Sequence, residues 1–297
     1  MVKLHWGALS PQQRGQVRTD VMNILSSLSE SEQRYVKEKV SSLVNEVAKR
    51  DWPQEWPEYF DALVNISKVG GDGQRQIVLL VIRRLVEDVT TFSNDLSKKR
   101  CDQLMAELKS KAKPMLAFIT GGLVTQRQEW THSHHPAAGQ LAVALIETLS
   151  VFLSWVNGGV LFDCNTPELL MSFLDDVHQL RMPAAEALLL LMERDHGKMS
   201  MAGKFLFPME HSATFARALE TPHGNGQEKA LFHEVLGKIL VAVGKRHLNL
   251  VEKHNYAVPP GYPDYLGIMV RFLEQHGRNR QGTSRCAEFR DAHLHNT

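Results

Sequence analysis

Residues 47 to 60 read Val47-Ala48-Lys49-Arg50-Asp51-Trp52-Pro53-Gln54-Glu55-Trp56-Pro57-Glu58-Tyr59-Phe60. An amphipathic helix runs into this stretch. Val36, Val40, Leu43, Val44 and Val47 fall on one stripe of a 3.6-residue period. Two Trp-Pro pairs follow, four residues apart. A proline disfavours helix in the residue before it and is tolerated in the first turn of a new helix. The stretch therefore predicts a sharp turn between two antiparallel helices. Trp52 and Trp56 are the large plugs beneath its corner, and Pro53 and Pro57 shape it. The role this predicts for all four is packing, not chemistry.

Outward from the turn, helical periodicity continues. Val78, Val81, Ile82, Leu85, Val86 and Val89 make a second stripe, Leu141, Leu145, Leu149, Phe152 and Val156 a third, and Leu231, Val235, Ile239 and Val243 a fourth. Alternating β-branched segments of useful length are absent from the sequence. The expected fold class is all-α. Breaks are predicted near Leu28–Ser31, Asp51–Pro53, Val69–Gly73, Ser93–Asp95, Thr131–Pro136, Asn157–Gly159 with Thr166–Pro167, Gln179–Pro183, Ala202–Phe207, Thr221–Gly226 and Ala257–Pro263. Ser29 with Glu32 has the spacing of a capping box, and Thr166-Pro167-Glu168 that of a helix start with a carboxylate near its N-terminus. Helices thus come in consecutive pairs of roughly 40 residues, the period of HEAT or armadillo units. Such a pair cannot bury its apolar face alone, so neighbours must stack, and a helical-repeat superhelix (an α-solenoid) is expected. A compact helical bundle is the alternative.

Composition fits this. The chain has 297 residues, 43% hydrophobic and 23% charged, with 34 Lys plus Arg against 33 Asp plus Glu for a net charge of +1. That balance argues against gripping nucleic acid by bulk charge, while leaving room for a local patch. Three cysteines, Cys101, Cys164 and Cys286, are widely spaced without a CxxC, the usage of a reduced intracellular compartment. The N-terminus carries no apolar signal core. The longest apolar runs, such as Ile77 to Ile82 and Ala187 to Met192, are about a third of the ~20 residues a membrane span needs. A soluble protein without membrane insertion is expected.

The sequence carries no complete enzymatic signature. There is no GxSxG elbow and no GxGxxG loop. Gly244-Lys245-Arg246 lacks the Ser or Thr of a phosphate loop, and His233-Glu234 meets Gly237 where a zinc motif needs its second histidine. His132, His134 and His135, and His293 and His295 in the tail, read as solvated loop residues. The pairs Asp175-Asp176 and Glu87-Asp88 diverge on a helix rather than converge. Cys101, beside Lys98, Lys99 and Arg100, has no local histidine base and reads as a half-buried helix residue. No catalytic residue, no metal site and no cofactor is expected, and the protein reads as no enzyme. The basic groups are the remaining candidates: Arg83-Arg84, then Lys98-Lys99-Arg100 continuing through Lys109, Lys111 and Lys113, and Lys245-Arg246 with His247 and Lys253. On a superhelix these would line the concave face and meet phosphates or an acidic partner, or stand as solvated outer charge.

The double Trp-Pro turn resembles that of the exportin-one-like domain in the importin-β superfamily of nuclear transport receptors. Ile82-Arg83-Arg84-Leu85-Val86-Glu87-Asp88-Val89-Thr90-Thr91-Phe92 looks like the next repeat of the exportin-five family, which carries double-stranded RNA hairpins, and Ser97 to Asp102 matches that family's basic start to a long helix. Ser154-Trp155-Val156 and Ala184-Ala185-Glu186-Ala187-Leu188-Leu189 look like further helix segments of it. The similarity covers Leu4 to about Gln275 and is strongest from Val36 to Phe92.

This resemblance implies a non-enzymatic export receptor, a karyopherin of HEAT repeats that shuttles between nucleus and cytoplasm. Its partners would be Ran in the GTP form, cargo (a double-stranded RNA hairpin such as pre-microRNA, or a protein) and nucleoporins. The inner helices of the N-terminal repeats would face Ran. Arg83, Arg84, Lys98, Lys99 and Arg100 are the candidate partner surface. The implied organisation is the end of a repeat over 1–36, an exportin-one-like region over 37–182, further repeats over 183–276, and a disordered tail over 277–297. Against the family pattern, the chain is expected to start within the second repeat and stop near the seventh, as a fragment, a short product or an incomplete gene prediction. Two alternatives stay open: another exportin or importin carrying protein or transfer RNA, and a helical-repeat adaptor without Ran binding.

Overall fold

The computed structural model describes residues 6–29, 31–91, 96–133, 136–174, 178–194, 202–221 and 224–276. Among the described residues there are helices and turns but no strand, and the fold is all-α. Two compact units divide the chain, Met1–Val156 and Asn157–Thr297.

In the first unit a 3-10 turn at Trp6–Ala8 leads into α1 (Pro11–Ser27), α2 (Arg34–Asp51), α3 (Tyr59–Val69), α4 (Asp72–Thr90), α5 (Lys98–Ser133) and α6 (Pro136–Leu153). α1 packs on α2, α3 on α4, and α5 on α6, while the second members α2, α4 and α6 stack on one another in that order. These are helix pairs of the HEAT type, with one layer of stacked second helices. The Trp-Pro turn joins one pair to the next, since α2 rests on α1 and α4 while α3 rests on α4.

Packing explains why α4 is so uniformly apolar. It meets α2, α3, α5 and α6, and Ile77, Val78, Val81, Ile82, Leu85, Val86 and Val89 are all buried. Each such side chain stabilises the fold by about 1.5–3 kcal/mol relative to exposure. Polar groups fix the register among these helices. Asn45 on α2, fully buried, donates from Nδ2 to the Val81 carbonyl at 3.0 Å and accepts the Tyr59 hydroxyl at 2.9 Å. Burial of that hydroxyl pushes the Tyr59 phenol far above its usual range. Lys49 is buried too, its ammonium between Glu46 Oε1 at 2.6 Å and Asp88 Oδ2 at 2.7 Å.

The second unit comprises α7 (Gly158–Asp163), α8 (Thr166–Ser172), α9 (His178–Glu193), a 3-10 turn at Gly203–Leu206, α10 (Phe207–Glu210), α11 (Ser212–Glu220), α12 (Gly226–His254) and α13 (Tyr262–His276). α9 packs lengthwise on α12, and α13 covers α10, α11 and part of α12. Gly237 permits the last contact, because a Cβ there would lie 2.5 Å from the Phe272 ring.

Three local expectations change. Among the described residues, capping boxes form at Ser10 with Gln13, opening α1, and at Asn225 with Glu228, opening α12. Ser29 instead shares a hydrogen bond with Ser31, and α2 begins beyond Glu32 with Gln33 at its cap. At α8 the cap is Asn165, left-handed at φ 51°, with Pro167 and Glu168 in the first turn behind it. No break falls at Gln179–Pro183, because α9 runs through Pro183. Burial of Leu180, Arg181, Ala184 and Ala185 around the proline outweighs the one backbone bond it cannot make. The expected corner at Ser93–Asp95 and the tail over 277–297 lie outside the described residues. Among the described residues, no helix is long and apolar enough to cross a membrane.

Candidate partner interface

The Trp-Pro turn is core, not surface. Trp52 is 0% exposed and Trp56 is 3% exposed, with Tyr59 against both rings at centroid distances of 6.0 and 4.7 Å. Pro53 is half-buried behind a cis peptide, and Pro57 is exposed. Pro53 creates a specific problem. In an α-helix the carbonyl of Lys49 would accept from the N–H of residue 53, and proline has none. Arg100, at the start of α5, supplies the missing donor. Its Nε donates to the Lys49 carbonyl at 2.8 Å, one Nη to the Trp52 carbonyl, and the other to Gln54 Oε1 at 2.7 Å. Burial pulls the Arg100 pKa down and nearby Asp51 pushes it the other way. Asp51, 2% exposed, in turn accepts from Trp6 Nε1 at 2.8 Å and from Arg18 at 2.9 Å. The turn therefore ties the 3-10 turn, α1, α2 and α5 together.

The second unit uses the same device twice. Arg181 on α9 donates to the carbonyls of Leu174 and Ala218 and lies over the Phe232 ring at 4.3 Å. Arg246 on α12 donates to the carbonyls of Met192 and Arg194 at the end of α9 and lies over Phe205 at 5.3 Å. The last carbonyls of a helix lack intrahelical donors and carry partial negative charge, so a forked cation suits them.

The basic clusters thus separate by position. Arg100 faces inward, whereas Lys98 and Lys99 beside it are exposed. Lys109 and Lys113 are exposed farther along α5, with Lys111 half-buried. Arg83 and Arg84 lie on α4, in the stacked layer. Arg83 pairs with Glu147 on α6 at 2.5 Å, and Arg84 with Glu38 on α2 at 3.3 Å. These pairs bridge α4 to its two stacked neighbours. Between them lies a groove of about 390 Å³. Glu32, Arg34, Lys37 and Glu38 of the α2 end line it, with Gln76, Leu80 and Arg83 of α4 and Ala144, Glu147 and Thr148 of α6. In the second unit, Lys245 is exposed, Arg246 is taken up by its helix-end bonds, and His247 is buried against Tyr262 with ring centroids 4.5 Å apart.

The enzymatic near-motifs are placed as packing. Gly244-Lys245-Arg246 lies in mid-helix, His233 is buried, and Glu234 pairs with Lys238 at 2.7 Å. Cys101 Sγ donates to the Val89 carbonyl at 3.4 Å. Among the described residues, no group of three or more His, Cys, Asp or Glu side chains is placed to hold a metal ion. Asp175, Asp176, His134, His135, His293 and His295 lie outside the described residues, as do the side chain of His132 and all of Cys286.

What sequence reasoning missed is the use of arginine as a helix-end donor. For Arg100 a signal existed: Lys49 stands four residues before a proline, which strands its carbonyl. For Arg181 and Arg246 no local pattern announces the contact, because the acceptors come from other helices. Trp6 was equally silent, 45 residues from the aspartate it bonds.

Residues 33–188, more than half of the chain and spanning α2 to most of α9, match the family described as Exportin 1-like protein. The chain is 25% identical over 287 residues to Exportin-5 of Dictyostelium discoideum, covering 92% of this chain and 25% of that protein. It is 28% identical over 290 residues to Exportin-5 of Mus musculus, covering 92% of this chain and 24% of that protein. Protein HASTY 1 of Arabidopsis thaliana is 27% identical over 201 residues, 65% of this chain and 17% of that protein. The chain spans about a quarter of the length of the first two of these curated relatives.

Proposed function

The chain belongs to the exportin 1-like protein family, and we propose that it serves as the Ran-facing part of a nuclear export receptor that shuttles between nucleus and cytoplasm. The observation that carries this reading is the family match across α2 to α9, together with relatives named as exportins. The role is binding, not catalysis. Ran in its GTP form docks on the stacked layer of α2, α4 and α6, where Arg83 and Arg84 stand. Cargo and Ran favour the same arrangement of repeats, so each raises the affinity of the other by the same factor. Release follows when GTP hydrolysis removes the form of Ran that favours that arrangement. The cargo is a double-stranded RNA hairpin such as a pre-microRNA. Lys98 and Lys99, exposed on α5, are the remaining candidates for a further contact, with nucleoporins among the partners they would serve.

The test is capture of the purified chain on immobilised Ran carrying a non-hydrolysable GTP analogue or GDP, with a hairpin RNA present in half of the samples. The reading predicts a preference for the GTP form, strengthened by the hairpin. Equal or absent capture, with helical circular dichroism intact, assigns the chain to a repeat scaffold without Ran binding. A GTP preference unmoved by the hairpin points to another cargo class.

A further inference from the structure

The groove of the stacked layer has more donors than acceptors on its α4 wall. Gln76 Nε2, Arg83 Nε and Arg84 Nε are all out of contact with solvent and meet no acceptor. Glu87 Oε1 approaches Arg83 Nε only to 3.8 Å, beyond hydrogen-bond reach. Buried donors without acceptors are rare in folded proteins, and three on one helix call for an explanation. Two of the three residues, Gln76 and Arg83, line the groove, while Leu80 and Ala144 supply apolar lining. At about 390 Å³ the groove admits side chains but not a helix.

We propose that this groove seats an acidic side chain of a protein partner, with an adjoining apolar residue laid on Leu80 and Ala144. The carboxylate displaces Glu147 from the Arg83 Nη, and the freed guanidinium turns to bring its buried Nε onto the second oxygen, the two-point geometry that arginine offers carboxylates. Glu147 is 52% exposed, so its pair with Arg83 is of the exposed kind that costs little to exchange. The rim also selects the class of partner. Glu32, Glu38 and Glu147 stand around the groove together with Arg34 and Lys37, a mixed rim that disfavours a continuous phosphate backbone while accommodating one carboxylate on an apolar neighbour. This inference rests on reading the α2, α4 and α6 face as a partner surface, and it names the chemistry recognised there.

The probe is a fluorescent peptide of alternating glutamate and leucine, followed by anisotropy against the purified chain, with a lysine–leucine peptide and a hairpin RNA in parallel. Saturable binding of the acidic peptide is expected, weakened about tenfold or more by Arg83→Gln, the loss expected for a charged hydrogen bond. Glu147→Gln frees Arg83 and should tighten binding, a gain that partial unfolding cannot produce. Lys109→Ala on α5 should leave binding unchanged. No saturable binding, preference for the basic peptide, indifference to Arg83→Gln, or weakening by Glu147→Gln would each overturn the proposal. So would displacement of the peptide by the hairpin in an Arg83-dependent way, which would assign the groove to phosphate. Ran capture run on the same proteins separates the two readings. Peptide binding without a GTP preference removes the Ran reading alone, and a GTP preference without peptide binding removes this one alone.

Discussion

Replacing Arg100 by alanine removes the donor that Pro53 cannot supply. Two carbonyls, of Lys49 and Trp52, lose their partner, along with the contact to Gln54 Oε1 at 2.7 Å. A buried acceptor left unmade costs about 1–3 kcal/mol. Arg100 is only half-buried, so water reaches part of the gap, and the two carbonyls together should cost about 2–4 kcal/mol. The first unit spans Met1–Val156, and for a domain of that size the loss corresponds to roughly 5–15 °C in the melting transition. Arg100→Lys should fall by nearly as much as alanine, because an ammonium cannot reach three acceptors in a fixed fork. Lys99→Ala, one residue away and exposed, should change nothing measurable. The assay is thermal unfolding followed by circular dichroism and tryptophan fluorescence, with all five tryptophans, Trp6, Trp52, Trp56, Trp130 and Trp155, in this unit. If Arg100→Ala melts with the wild type, the guanidinium is an exposed charge and the stranded-carbonyl argument is wrong.

Trp56→Ala should cost about 3–5 kcal/mol, since a ring that is 3% exposed leaves a void beneath the turn, and an unchanged melting temperature would place that ring in solvent. Glu46 is subject to burial that raises its pKa, but hydrogen bonds from Lys49 and Arg50 outweigh this and hold the carboxyl below its usual value. A depressed folded pKa gives stability that is present above the unfolded value and lost as pH falls through the folded one. The urea midpoint should therefore drop below about pH 5, and Glu46→Gln should flatten that part of the profile. Tyr59 has the opposite sign: its phenol stays neutral in the fold while the unfolded phenol ionises, so stability should decline above about pH 10. Ultraviolet titration should then leave the Tyr59 phenol silent until the chain unfolds. Tyr59→Phe should remove that late signal and, by stranding Asn45 Oδ1, cost about 1–3 kcal/mol.

The pairing of helices was legible because each leaves a 3.6-residue stripe and most are punctuated by Pro, Gly or a cap. Val78 to Val89 illustrates this, as every apolar position on the stripe is buried. The Trp-Pro turn was legible for the same local reason, and Trp52 and Trp56 pack as their size and flanking prolines indicate. Legibility failed where a partner lies far along the chain. Ser29 with Glu32 has box spacing, yet the helix starts after it, because the side chains that α2 buries against α1 and α4, Val44 and Val47 among them, lie farther on. Pro183 reads as a break, yet α9 runs through it, because the packing of its neighbours outweighs one backbone bond. Arg83, Arg84, Lys98, Lys99 and Arg100 look alike as charges, but the structure gives them different surroundings. Arg83 and Arg84 bridge stacked helices, Arg100 feeds a helix end, and Lys98 and Lys99 stand in solvent. Composition counts such charges, and only the fold says which of them remain available to a partner.

The central claim, that the stacked layer of α2, α4 and α6 is the working surface of an export receptor, is tested most directly by hydrogen exchange on the chain with and without Ran. Exchange should be compared for Ran bound to a non-hydrolysable GTP analogue and Ran bound to GDP. The account predicts protection concentrated in 34–51, 72–90 and 136–153 with the GTP form and absent with GDP. Protection confined to the outer helix α5, or the same with both nucleotides, would contradict it.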